Sequence, residues 1–163
     1  MNTLARAAMA AEQVYAALIT LQNDTLLLPN LGVTEIVSRE GLSGADDTKP
    51  AWYAGQLTWQ GQAVPVIRFE VMNGMTGDGS GRRSRIAIIN ALGEHLPGRR
   101  FGIFCEGYPH LVTIQRESIR PAEPYPTDNP DAVLCRALVA SRTLAIPNLE
   151  RIEAAIAGLL KAG

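Results

Sequence analysis

Apolar and polar positions alternate in short runs along this chain, which is typical of β-strands joined by tight turns. Residues 14–20 are rich in β-formers, residues 26–28 are apolar, and the turn formers Asn23 and Asp24 lie between them. Because Asn and Asp tolerate the positive φ that a hairpin turn needs, we expect strand, turn, strand here. Similar runs predict further strands over residues 33–37, 55–59, 63–69, 85–90, 101–105, 111–114, 132–139 and 142–146.

The clearest hairpin pattern covers residues 55–69. Residues 60–62, Gln-Gly-Gln, form the predicted turn between the two strands. Pro65 lies in the return strand, and because proline has no N–H to donate, we expect it at an edge or beside a bulge. Polar, Gly-rich or Pro-rich loops are predicted over residues 39–50, 73–83 and 120–130.

Helical periodicity occurs at the two ends of the chain. The first 14 residues are rich in alanine and predict a short N-terminal helix. Asn148 is a good N-cap for a C-terminal helix over residues 148–161. An apolar stripe on that helix predicts the face that packs on the core: Leu149, Ile152, Ile156, Leu159 and Leu160.

The length fits one domain, or two small lobes that share a core, and that core is large enough to need no disulfide or metal. The many short strands indicate a mostly β fold, either barrels or a sandwich. The net charge of −1 gives no field that would attract nucleic acid over a distance. Cys105 and Cys135 lie in apolar runs and are expected to be small buried residues of a reducing compartment. We find neither a signal-peptide pattern nor an apolar run long enough to span a membrane, so the expected location is the cytoplasm.

The sequence offers no pattern for catalysis, for a cofactor or for a metal. The glycines of residues 74–81 lack the Gly-Lys-Ser/Thr ending of a phosphate loop and precede a strand. His95 and His110 have no Cys, His or carboxylate at metal-ligand spacing. No aromatic side chain lies among the arginines of residues 82–85, as a nucleic-acid site would require. We therefore expect a binding domain rather than an enzyme.

An ordered set of motifs resembles the CheW-like family of chemosensory coupling proteins. Leu28-Pro29 is followed by Val33-x-Glu35-Ile36, and then by Gly55-x-Leu-x-x-x-Gly61-x-x-Val64-Pro65-Val66-Ile67. The later motifs are Phe101-Gly102-Ile103, Glu106-Gly107, Ile119-Arg120-Pro121 and Ile146-x-Asn148-Leu149-Glu150. The resemblance extends from about residue 15 to about residue 156.

The resemblance implies two SH3-like five-stranded β-barrels around a shared core, in one domain over residues 1–163. The first barrel would hold about residues 15–75 and the second about residues 82–146. It also implies a non-catalytic adaptor that links methyl-accepting chemoreceptors to a CheA-type histidine kinase. One surface would dock on the regulatory domain of the kinase, and a groove near the barrel junction would hold the cytoplasmic tip of the receptor. No nucleic acid and no direct membrane insertion are expected.

Eight residues are candidates for the protein interface on this basis. Val33 and Glu35 fall where the family's Val-x-Glu lies, near the receptor groove, although Glu35 could also be an ordinary exposed strand carboxylate. The glycines match family positions, where a tight turn or a close strand approach would explain them equally well. The full set is Val33, Glu35, Gly55, Trp59, Gln60, Gly61, Arg68 and Gly102.

Three of these candidates depart from the family pattern. The family has Asn-Leu-Arg-Gly where this chain has Thr58-Trp59-Gln60-Gly61, so Gln60 replaces a charged arginine fork. The family aspartate after Val-Pro-Val-Ile is Arg68, a reversal of charge. These changes indicate a rewritten partner surface and a divergent member of a dedicated pathway, such as the one that governs type IV pili and twitching motility.

The alternative is a barrel that binds a small ligand or an oligonucleotide and has no part in chemotaxis. Trp52, Tyr53 and Trp59 cluster around the hairpin, where their rings could stack on a base or another planar group.

Overall fold

A computed structural model describes residues 13–76 and 81–162 of the chain. Within these ranges the backbone forms two β-sheets and two α-helices, together with the 3-10 helices Asn30–Gly32 and Arg116–Ser118. The strands are β1 Gln13–Thr20, β2 Thr25–Pro29, β3 Val33–Val37, β4 Tyr53–Trp59, β5 Gln62–Ile67, β6 Ser84–Asn90, β7 Arg100–Glu106, β8 His110–Gln115, β9 Ile119–Ala122, β10 Val133–Val139 and β11 Arg142–Pro147. The helices are α1 Phe69–Met72 and α2 Leu149–Ala162.

The larger sheet has six strands in the order β8-β1-β2-β11-β10-β9. Its β1–β2 hairpin is the one predicted from the sequence, with Thr20 opposite Thr25 and the Leu21 N–H bonded to the Asp24 carbonyl at 2.8 Å. The 3-10 helix Arg116–Ser118 alone separates the edge strands β8 and β9 along the chain. The six-stranded sheet must therefore curl so that its two edges approach each other.

The smaller sheet has five strands in the order β3-β6-β7-β5-β4. The predicted hairpin is confirmed as β4–β5, but its loop has two residues, because Gln62 pairs with Trp59. Gln60 and Gly61 have φ values of 49° and 77°. Positive φ at both central residues is typical of the type I′ turn, whose twist matches that of the flanking strands.

The sheets do not follow the expected division of the chain at residues 75–82. β1 and β2 belong with the late strands, since β2 pairs in parallel with β11 through Leu26 and Ala145. β6 and β7 belong with the early strands, since β7 pairs in parallel with β5 through Gly102 and Val66. Parallel strands cannot be joined by a tight hairpin, so the two members of a parallel pair are distant in sequence. The expected division grouped neighbouring hairpins into each barrel and therefore left these pairs out.

Residues 13 and 14 also differ from the prediction, because they belong to β1 and not to the predicted N-terminal helix. Gln13 pairs with Gln115 and Val14 with Ile114, so the edge strand β8 extends β1 at this end. The rest of the predicted N-terminal helix lies outside the described residues. β9 was predicted as loop, and this extra strand makes the larger sheet six-stranded.

A core shared by both sheets explains why several strands are almost continuously apolar. In β6, Ala87 and Ile89 face the shared core, whereas Ile86 and Ile88 face a cluster inside the five-stranded sheet. Successive side chains of a strand point to opposite faces, and here both faces are buried. A third cluster lies inside the six-stranded sheet, around Leu27 and Leu144.

The C-terminal helix completes the shared core, as its apolar stripe predicted. Leu149, Ile152 and Ile156 are buried there, and Leu160 differs from the prediction with 41% of its surface exposed. Asn148 caps the helix, because its side-chain oxygen accepts the Arg151 N–H at 3.2 Å.

A buried arginine joins three parts of the six-stranded sheet. The Arg136 guanidinium on β10 bonds to Asp24 in the β1–β2 turn at 2.9 Å and to Asp128 at 2.7 Å. The centre of the Tyr125 ring lies 3.9 Å from the guanidinium carbon. Hydrogen bonds from Arg136 lower the pKa of Asp128 to about 2. The sequence pattern did not predict this cluster.

Candidate functional site

All eight candidate interface residues lie in or beside the five-stranded sheet. Val33 and Glu35 are on β3, Gly55 and Trp59 are on β4, and Gln60 and Gly61 form the β4–β5 turn. Arg68 follows β5 directly, and Gly102 is on β7. β3 and β4 are the two opposite edge strands of this sheet, so contact between their candidates requires the sheet to curve.

A hydrogen bond between Glu35 and Trp59 joins the two edges. The Trp59 indole Nε1–H donates to Glu35 Oε2 at 2.7 Å. The indole is 9% exposed and packs inside the five-stranded sheet with Leu57 and Val64. Glu35 is exposed. The contact therefore connects the interior of the sheet to a carboxylate at its surface.

A bulge in β3 separates the environments of Val33 and Glu35. The pairing with β6 shifts between these residues, since Val33 lies opposite Ile89 and Glu35 lies opposite Ile88. Bulges at edge strands redirect side chains and discourage further pairing. Val33 is half-buried against the shared core, so it has a packing role, whereas Glu35 is available to solvent.

Gly55 and Gly102 have structural reasons to be glycine. Gly55 has a φ of 120°, and a Cβ there would lie 2.3 Å from the Ser43 carbonyl oxygen. A Cβ on Gly102 would lie 2.7 Å from Ile86 Cγ2. Both residues are buried, so close packing explains them without a partner.

The turn residues Gln60 and Gly61 are exposed at the end of the β4–β5 hairpin. Gly61 has a φ of 77°, which the turn requires and which glycine adopts at little cost. A Cβ at this position would contact no atom within 4 Å, so the backbone conformation and not a lack of space explains the glycine. Gln60 directly follows Trp59 in the chain, and its neutral side chain is exposed.

Arg68 ties its own neighbourhood together. Its Nη1 donates to the carbonyl oxygens of Ala51 and Tyr53, both at 3.2 Å. Its guanidinium carbon is 5.8 Å from the centre of the Phe104 ring, at cation–π distance. These contacts give the reversed charge a role in anchoring the segment that enters β4.

The aromatic residues of the alternative hypothesis do not form an exposed stacking platform. Tyr53 and Trp59 are 5% and 9% exposed. Trp52 is half-buried against the shared core. Because two of the three rings are buried and the third is half-buried, the ligand-stacking hypothesis loses the feature on which it rested.

Two side chains near the site were not anticipated. The Arg100 guanidinium carbon lies 5.1 Å from the centre of the Trp59 ring, so a cation covers the indole face. The predicted strand begins at residue 101, and no pattern in the sequence indicates that Arg100 belongs to β7. Glu70 is buried and accepts the Gln22 and Asn23 N–H groups at 2.8 Å each, and burial raises its pKa.

The cysteine prediction was half right. Cys105 is buried, which raises its pKa to about 12, whereas Cys135 is exposed. A register shift between Val133 and Cys135 in β10 changes the side to which the strand directs its residues, and this accounts for the exposure. Both thiols are free.

The polar groups of the site suit contacts with another protein. Across residues 13–76 and 81–162, no three His, Cys, Asp or Glu side chains form a group that could hold a metal ion. A search of the same ranges finds no helix long and apolar enough to cross a membrane. What the site presents is an oriented carboxylate on an edge strand, beside an exposed turn.

Comparisons with known proteins agree with the motif order. The family model of the CheW-like domain matches residues 16–155. A similar solved structure is that of the scaffolding protein TtCheW from Thermoanaerobacter tengcongensis, with a TM-score of 0.68 and 22% sequence identity. That likeness covers 83% of this chain and 84% of the other, and it shows a common fold. No curated protein matches the sequence. Because the family model covers most of the chain and both of its sheets, the protein belongs to the CheW-like domain family.

Proposed function

We propose that this protein is a non-catalytic adaptor that couples methyl-accepting chemoreceptors to a CheA-type histidine kinase in the cytoplasm. The observation that carries the proposal is the CheW-like family match over residues 16–155, which spans both sheets and their shared core. The solved relative described above is itself a scaffolding protein.

The geometry of the five-stranded sheet supports contact with a protein partner. Glu35 is an exposed charge on an edge strand, and its orientation is set by a buried ring. Val33, two residues earlier, lies beside the shared core, where the two sheets adjoin. We place the receptor tip near these residues and the kinase regulatory domain on a separate surface.

Reversing the charge of Glu35 tests the proposal. We expect Glu35→Arg to weaken binding to one partner, the receptor fragment or the kinase domain, by tenfold or more, because a required acceptor becomes a repelling cation. Isothermal titration with each purified partner measures this. The variant should still fold, with a slightly lower midpoint of thermal unfolding, because Glu35 is exposed but the Trp59 Nε1–H loses its acceptor.

A matched control is Glu94→Arg, which reverses an exposed charge in the β6–β7 loop. It should bind both partners normally. Failure of the wild-type protein to bind either partner at tens of micromolar would rule out the adaptor function.

The output of the pathway is a finer proposal. The departures at Trp59, Gln60 and Arg68 favour a dedicated system, such as the one that controls type IV pili. The genes that neighbour this one would test it, since pilus genes are expected there and flagellar genes alone would argue against it.

A further inference from the structure

In the Glu35–Trp59 contact, a buried N–H donor keeps an exposed carboxylate in position. Trp59 is the last residue of β4, and its ring packs in the cluster inside the five-stranded sheet. The Arg100 guanidinium covers the ring at 5.1 Å. A ring enclosed in this way has little rotational freedom, so the direction of its N–H is fixed by the fold.

The backbone on the other side of the contact is also constrained. Glu35 follows the β3 bulge, and β3 is held to β6 through the pairs at Val33, Glu35, Ile36 and Val37. With both its backbone and one carboxylate oxygen held, the exposed side chain loses much of its freedom before any partner arrives. Ordering a side chain in advance lowers the entropic cost of binding.

The donor is neutral, so it orients the carboxylate without cancelling its charge. An arginine in the same place would bring a positive charge and two parallel N–H groups. Within the described part of the chain, Trp59 is the only hydrogen-bond donor to Glu35, and no lysine, arginine or histidine forms an ion pair with it. Among the described residues Glu35 therefore carries its negative charge without an ion pair, while the Arg100 guanidinium lies over the ring of its donor.

We propose that Trp59 is a positioning residue that presents Glu35 to a basic side chain, arginine or lysine, on the receptor tip, the partner that the proposed function assigns to this edge. The inference rests on the proposed adaptor function, because that function supplies the partner. It goes further by naming the group that the partner must offer and the residue that sets the specificity through Glu35. The binding surface recognises one cationic side chain of the partner at a defined position.

Two substitutions separate the charge from its orientation. Glu35→Gln keeps an oxygen acceptor for the indole but removes the charge, whereas Trp59→Phe keeps an aromatic ring in the core but removes the N–H. We expect Glu35→Gln to weaken one partner about tenfold and to reduce the salt dependence of its binding. Trp59→Phe should weaken the same partner about fivefold and leave the salt dependence intact, because the charge remains but must be ordered on binding.

The affinity of the double variant distinguishes a positioning role of Trp59 from a purely structural role. If Trp59 acts through Glu35, adding Trp59→Phe to Glu35→Gln should have little further effect on affinity, so the two losses are not additive. Isothermal titration of the wild type, both single variants and the double variant at two salt concentrations gives this cycle. Glu94→Gln is the control for loss of an exposed charge.

Because Trp59 is a core residue, its variant must first be shown to be folded. If Trp59→Phe does not fold, Glu35→Asp tests the same point at an exposed position, since the shorter side chain keeps the charge but cannot reach the indole in the same geometry. It should then weaken binding with the salt dependence retained.

Three results would overturn the inference while leaving the adaptor function in place. These are wild-type binding that Glu35→Gln does not weaken, a Trp59→Phe or Glu35→Asp variant that binds like the wild type, and fully additive losses in the double variant. Failure of the wild-type protein to bind either partner would instead refute the proposed function.

Discussion

Asp128 shows how strongly one residue can depend on its partners in this fold. Its carboxylate accepts two hydrogen bonds from Arg136, at 2.9 and 2.7 Å, and one from Asn73 at 3.0 Å. These bonds favour the ionised form, and the pKa of Asp128 falls from 3.8 to about 2. A carboxyl group whose pKa is lower in the folded protein than in the unfolded chain stabilises the fold when it is ionised.

We therefore expect the free energy of unfolding to fall as the pH drops from about 4 to about 2. The stabilisation by Asp128 is complete above its unfolded pKa and is lost as the pH falls through its folded pKa. Asp128→Asn should destabilise the protein by about 2 kcal/mol at pH 7, because it removes hydrogen bonds to a charged group, and should flatten the acid dependence. Urea unfolding followed by tryptophan fluorescence at several pH values measures both.

Asp131→Asn is the matched control for this experiment. Its side chain is 61% exposed, and its ion pair with Arg151 is long, at 3.7 Å. Exposed pairs of this kind contribute little, so the control should unfold like the wild type. An Asp128→Asn protein with unchanged acid dependence would show that other carboxyl groups govern it.

Helix α2 carries a buried carboxylate that organises a loop of the five-stranded sheet. Glu153 is fully buried and accepts the N–H groups of Gly93 and His95 at 2.9 and 3.0 Å. Both donors lie in the β6–β7 loop, so the helix is attached to that loop by polar as well as apolar contacts. Amphipathic periodicity predicted the apolar stripe of α2, but it cannot show that a glutamate next to Ile152 faces inward.

Removing this carboxylate should free the loop. We expect Glu153→Ala to lower the free energy of unfolding by about 2 kcal/mol, because the Gly93 and His95 N–H groups lose hydrogen bonds to a charged acceptor. Hydrogen exchange at the Gly93 and His95 amides should become faster by a larger factor than exchange in β1. Glu150→Ala, at an exposed position of the same helix, should cost no more than about 1 kcal/mol. Unchanged exchange at Gly93 and His95 would contradict the proposed attachment.

At the scale of the whole molecule, local patterns were predictable and long-range pairings were not. The hairpins β1–β2 and β4–β5 follow from turn residues and short apolar runs, which act over a few positions. The sheet to which a strand belongs depends on parallel pairs such as Leu26 with Ala145, and no local sequence pattern indicates these pairs. The motif order did identify the fold class, because it reflects the complete arrangement.

The candidate site was predictable in its parts but not in its contacts. Glu35 and Trp59 were each expected at the interface, yet their hydrogen bond depends on the curvature that brings β3 near β4. The glycines are explained by packing, and Arg68 by its bonds to backbone carbonyls. The function attributed to the molecule therefore depends on a smaller set of residues than the motif suggested.

An adaptor must hold both partners at the same time, so binding measured with both partners present tests the coupling function most directly. Sedimentation velocity of the protein with the receptor cytoplasmic fragment and the kinase regulatory domain, separately and together, measures it. We predict two binary complexes and one larger complex that contains all three components. Competition between the two partners for this protein, or binding of only one of them, would contradict the coupling function.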